Sequence, residues 1–182
     1  ACGMVVLILL TFRVLWGLVG GRWSRFASFI YAPGTVMRYL RGEAKAEERL
    51  DVGHTPTGAL SVFVMLLILL VQVGTGLVSD DEIANSGPLS SLVPGSVVTL
   101  ATYWHKQWGK FILIQLVLTH VLALLGYRWR KQQSLVSAMW HGDKVLAAPV
   151  PSSRDTLRTR LLALTLYGMA VAAVFALVSL GS

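Results

Sequence analysis

Cysteine is almost absent: Cys2 stands alone in a chain of 182 residues. A single thiol builds no disulfide, no zinc site and no CxxCH attachment, so any prosthetic group here is held without a thioether link. Acidic residues are also scarce, 9 against 16 lysines and arginines, and none falls inside the long apolar runs. That excludes a proton relay built on intramembrane carboxylates. Hydrolase and nucleotide signatures are missing too: there is no GxSxG, no HExxH, no phosphate loop and no GxGxxG. Paired interrupted segments in two related halves, the mark of many transporters, are not found. The basic excess is not interleaved with aromatics on a polar domain, which argues against nucleic acid as a partner.

What remains is apolar. The chain is 54% hydrophobic with 14% charged residues, and its mean hydropathy is +0.63. Gly58–Ser79 and Leu161–Ser182 carry no charge, Ala1–Gly20 carries only Arg13, and Phe111–Tyr127 carries only His120. At about 20 residues per crossing, these runs predict an all-α integral membrane bundle with helices near 1–20, 58–79, 104–127 and 161–180. The whole of 1–182 then forms a single domain in contact with membrane lipid. The glycines in and beside these runs would let helices, or a flat macrocycle, approach closely.

Charge orients the helices. Arg22, Arg25, Arg38, Arg41, Lys45 and Arg49 lie in 21–57, and Arg128, Arg130, Lys131, Lys144, Arg154, Arg158 and Arg160 lie in 128–160. The connection 80–103 has Asp80, Asp81 and Glu82 and no lysine or arginine. The positive-inside rule puts 21–57 and 128–160 in the cytoplasm, and 80–103 and the C-terminus on the periplasmic side of an inner membrane. Lys106 and Lys110 break this pattern, by snorkelling to head groups or by meeting an acidic partner or the propionates of a haem. The chain begins at Ala1 without an initiator methionine, inside an apolar run whose basic residues follow it, unlike a signal peptide. This start leads us to expect one more membrane helix upstream.

Within the first loop, Pro33-Gly34 marks a turn. Thr35 is placed to cap a surface helix over Val36–Arg49 with an apolar face of Val36, Met37, Tyr39 and Leu40. His141 falls in a polar stretch and reads as a surface residue, and 147–154, with Pro149 and Pro151, reads as an extended linker.

His105 and His120 are the residues that carry chemistry. Fifteen residues of helix separate them by about 22 Å along the axis, comparable with two groups stacked in opposite halves of a bilayer core about 30 Å thick. Imidazole is costly in hydrocarbon and is a common axial ligand of haem iron. The pair therefore points to two non-covalent haems of b type, with His105 and His120 as iron ligands. Hydrogen bonding of each ring to a neighbouring helix is the other reading. His54, at the interface, and Arg13 are placed to contact haem propionates; a wetted end residue is the other reading of His54.

Four stretches resemble the bacterial cytochrome b561 family and the related b-type cytochrome subunits of membrane-bound nickel–iron hydrogenases. These are Phe12–Gly20 with Arg25-Phe26; Tyr39–Gly42 with Gly53–Pro56; the His105/His120 pair; and Leu135–Met139 with Gly142 and Lys144. The resemblance implies electron transfer across the membrane between two bis-histidine haems, with quinone on one side and a periplasmic cytochrome or hydrogenase-like protein on the other. The chain would act either alone or as a subunit of a larger oxidoreductase complex. By this match the partner ligands of both haems lie upstream of Ala1. The family usually spaces its two ligands by fourteen residues where this chain has fifteen. A local bulge or loosened helix start at His105 would absorb the extra residue. The competing reading is a non-redox anchor or scaffold subunit.

Overall fold

In a computed structural model the described residues are 2–48, 50, 52–83, 85–131, 136, 140, 142, 146, 150–153 and 155–181. His141, residues 147–149 and 154 of the expected linker, and Leu135, Ser137, Ala138, Met139 and Lys144 lie outside them. Six α-helices carry the fold among the described residues: α1 Cys2–Val19, α2 Pro33–Arg41, α3 Pro56–Val78, α4 Gly95–Tyr103, α5 Lys110–Lys131 and α6 Leu157–Ser179. A π-helical turn over Trp104–Gly109 joins α4 to α5 without a break. No strand occurs among them, and the pairing of Asp80 with Ser86 is an isolated bridge. Four helices are long and apolar enough to cross a membrane: α1, α3, the continuous α4–α5 rod and α6. The chain is an all-α membrane bundle.

The helix starts follow from local chemistry. Thr55 caps α3, its hydroxyl accepting from the Gly58 amide at 3.2 Å, with Pro56 at the first position, where no amide bond is lost. Thr156 and Thr159 cap α6 reciprocally, each side chain meeting the other's backbone amide. Two elements differ from expectation. The surface helix runs Pro33–Arg41, not Val36–Arg49: Ala32 is its N-cap, Pro33 sets the first turn, and Gly42 ends it in the left-handed conformation at φ 76°. The Thr35 hydroxyl accepts from Arg38 instead of capping. The connection expected over 80–103 is helical from Gly95 onward. Thr102 holds that early start in place, accepting from the Asp80 amide at 2.9 Å and donating to the Asp80 carbonyl at 3.1 Å.

The four crossing elements stand in a row. α6 packs on α1, α1 on α3, and α3 on the α4–α5 rod. Small residues line the contacts: Ala170 is fully buried, and Ala59, Ala101, Gly17 and Gly109 are buried with it. Gly17 is required by close approach, since a β-carbon there would lie 2.3 Å from the Phe26 ring. Large apolar side chains such as Leu67, Phe111, Leu122 and Leu164 point outward. In lipid this arrangement carries no hydrophobic penalty, and close backbone packing supplies the adhesion. The rod from Gly95 to Trp129 is 35 residues, about 52 Å of helix. That exceeds the bilayer core, and Trp104, Trp108 and Trp129 mark interfacial levels along it.

Candidate haem-ligand site

α3 runs antiparallel to the α4–α5 rod, and His105 meets α3 near its far end. His105 Nδ1 lies 2.9 Å from the Gln72 backbone oxygen. A carbonyl only accepts, so Nδ1 carries the hydrogen and Nε2 is left with its lone pair. Thr75 Oγ1 lies 3.4 Å from the same nitrogen, and its own hydroxyl is directed at the Val71 carbonyl at 2.8 Å and the Gln72 carbonyl at 3.0 Å. Thr75 therefore meets the imidazole as an acceptor, in agreement with the same tautomer. The ring lies flat on α3 at Gly76, where a β-carbon would stand 2.8 Å from His105 Cε1. The Gln72 side chain closes the arrangement by donating to the His105 backbone carbonyl at 3.3 Å.

This is what a metal-binding histidine needs: one ring nitrogen fixed by a carbonyl, the other without a hydrogen-bond partner among the described residues. The π-helical turn contributes as well. In unbroken α-helix fifteen residues would leave two side chains about 60° apart, whereas a turn that absorbs one residue restores a fourteen-residue relation, about 40° apart in the opposite sense. His120 sits on α5, part-exposed, with no hydrogen-bond partner among the described residues. Counting helical rise from His105, it stands level with the first turns of α3.

The other two predicted residues lie together at the opposite end of the bundle from His105. Arg13 Nη1 donates to the Ser24 carbonyl at 3.1 Å, and its guanidinium stands 5.0 Å from the centre of the Phe26 ring. The His54 ring packs on Phe29 at 4.5 Å between centroids, and the His54 carbonyl accepts from the Tyr31 hydroxyl at 2.6 Å. Phe26, Phe29 and Phe63 join the two, and Phe29 is only 1% exposed. Arg13 and His54 are thus partly engaged in holding the loop to the bundle. At the other end Lys106 stands 3.6 Å from Asp81, and Lys110 stands over Phe111, so Lys106 is matched within the chain.

Sequence reasoning did not single out Gln72 and Thr75. Their signal was present: two polar residues three apart in an uncharged span, with Gly76 next on the same face. Among the described residues no group of three or more histidines, cysteines or carboxylates could hold a bare metal ion. Axial ligation of haem asks for less, one neutral imidazole nitrogen on a side, and that is what His105 presents. The residues fit the group.

Fold and site together define a multi-pass membrane protein that presents imidazoles at two depths of one helix. The profile described as prokaryotic cytochrome b561 matches residues 1–142, and the chain belongs to that family. It is therefore a bacterial transmembrane b-type cytochrome, a haem-binding carrier of electrons. Neither the search of curated proteins nor that of solved structures returned a match.

Proposed function

We propose that this chain relays electrons across the bacterial inner membrane between two b haems, one held by His105 and one by His120. The observation that carries this reading is the His105 seat, where the Gln72 carbonyl takes the Nδ1 hydrogen and leaves Nε2 to ligate. Haem supplies reversible one-electron chemistry at iron; the chain's part is to place, orient and insulate it. His120, about 22 Å further along the axis, would ligate at the opposite depth. Apolar side chains of α3 and α5 keep water from the space between, and the resulting low dielectric and the hydrogen bond at His105 Nδ1 tune the potentials. Arg13 and His54, at the end nearer His120, supply the polar groups suited to propionates, which supports two haems over one.

Quinone in the lipid is the natural exchange partner on the membrane side. A periplasmic cytochrome or hydrogenase-like redox protein is the natural partner at the His105 end, with the chain alone or as a subunit of a larger complex. The charge pattern supports that orientation, with 80–103 and the C-terminus outside. A reduced-minus-oxidised visible spectrum of the purified protein tests the reading. A sharp α band that also develops on adding a quinol is expected. A flat trace would leave the histidines as packing residues of a scaffold subunit.

A further inference from the structure

We infer that Gln72 is a positioning residue that locks the π-helical turn and so aims His105, an inference that rests on the ligation proposed above. Gln72 grips His105 twice. Its backbone oxygen takes the Nδ1 hydrogen at 2.9 Å, and its side-chain amide donates to the His105 carbonyl at 3.3 Å. A turn with i→i+5 bonding is a rare local departure from the α-helical ladder, and a contact from a neighbouring element can hold it. The amide of Gln72 is such a contact, arriving from the neighbouring helix.

The fit is built on both sides of the contact. Gly109, the last residue of the wide turn, is buried, and a β-carbon there would fall 1.7 Å from Gln72 Oε1. The turn is thus recessed where the glutamine side chain enters. Gly76, one helical turn past Gln72, is the floor on which the imidazole lies. If the turn tightened to α-helix by slipping one residue, His105 would swing about 100° around the axis and leave this seat. Gln72 holds the chain against that slip. The extra residue and the glutamine form one device: the wide turn creates the need, and the amide meets it.

This account makes the two parts interdependent, which a generic packing role would not. The experiment uses the purified holoprotein and a spectroelectrochemical titration of the α band, with the component missing from His105→Ala taken as the His105 haem. Gln72→Leu keeps the volume and removes the amide. It should shift the His105 component to higher potential, as the imidazole loses its fixed orientation and donor strength, and leave the His120 component in place. Gly109→Ala, which displaces the glutamine, should produce the same shift. Deleting Gln107, an exposed residue of the wide turn, removes the extra residue. That chain should keep both components, and in it Gln72→Leu should move the His105 component by less than half as much.

Equal shifts in the two backgrounds would overturn the inference, as would no shift in either. So would loss of the His105 component on deleting Gln107, or loss of both components on Gln72→Leu in both backgrounds, which would make Gln72 a packing residue. Should His105→Ala retain every component, the ligation reading itself fails. A normal His105→Ala result with an unmoved Gln72→Leu titration fails the lock alone.

Discussion

Nδ1 of His105 is tied to the Gln72 carbonyl, and the tie matters because a ring free to rotate would offer its lone pair in many directions. Gly76 sets the depth of the ring, since the imidazole occupies the place of a side chain on α3. Gly76→Val should therefore push the ring off its seat and cost the protein the haem proposed at His105. Gly74→Ala, two residues earlier in open space, should leave haem content unchanged. Haem assayed against protein in the two variants checks this. The histidines themselves were legible in the sequence because an imidazole in an apolar run is conspicuous. Gln72 and Thr75 were not, because their roles depend on which face of α3 meets the rod, and that register is set by tertiary packing.

At the scale of elements, aromatic packing and the Arg38–Glu48 ion pair hold the first loop at its end of the bundle. Phe29 is nearly inaccessible between His54, Phe26 and Phe63. Phe29→Ala should lower stability by about 3–5 kcal/mol, the usual cost of emptying a buried aromatic site, seen as a reduced Tm. Glu48 folds back on α2, accepting from Arg38 and from the Lys45 amide, and the Arg38 bond holds its carboxyl below the usual glutamate range. Since its folded pKa is depressed, the pair contributes at neutral pH, and the contribution is lost as pH falls through that lowered value. Glu48→Gln should thus weaken amide protection in α2 at pH 7, and the gap between variant and parent should close below the normal carboxylate range. The starts of α3 and α6 were expected near 58 and 161, at the edges of the uncharged runs, whereas the local caps Thr55 and Thr156 begin them at Pro56 and Leu157. The extent of α2 was misjudged because Gly42 outweighs the Ala/Glu-rich residues that follow. The helix over Gly95–Tyr103 was missed because this short, β-branched run is stabilised by the distant Asp80–Thr102 tie.

For the whole molecule the order α6, α1, α3, α5 leaves the outer faces of the row covered with large apolar residues, as lipid contact requires. Sidedness rests on charge alone: basic loops at the His54 end and acidic residues without lysine or arginine over 80–103 at the other. In a Cys2→Ser background, a cysteine at Ser91 should react with an impermeant thiol reagent in whole cells, and one at Glu43 should react only after lysis. The reverse labelling would exchange the sides assigned to the two proposed haems.

The central claim is that His105 and His120 each hold one haem at opposite depths of a single helix. Pyridine haemochrome analysis of the purified protein, of His105→Ala and of His120→Ala tests it most directly. The account predicts two haems in the parent and one in each variant, with different components of the redox titration missing from the two. Full haem content in both variants would contradict it.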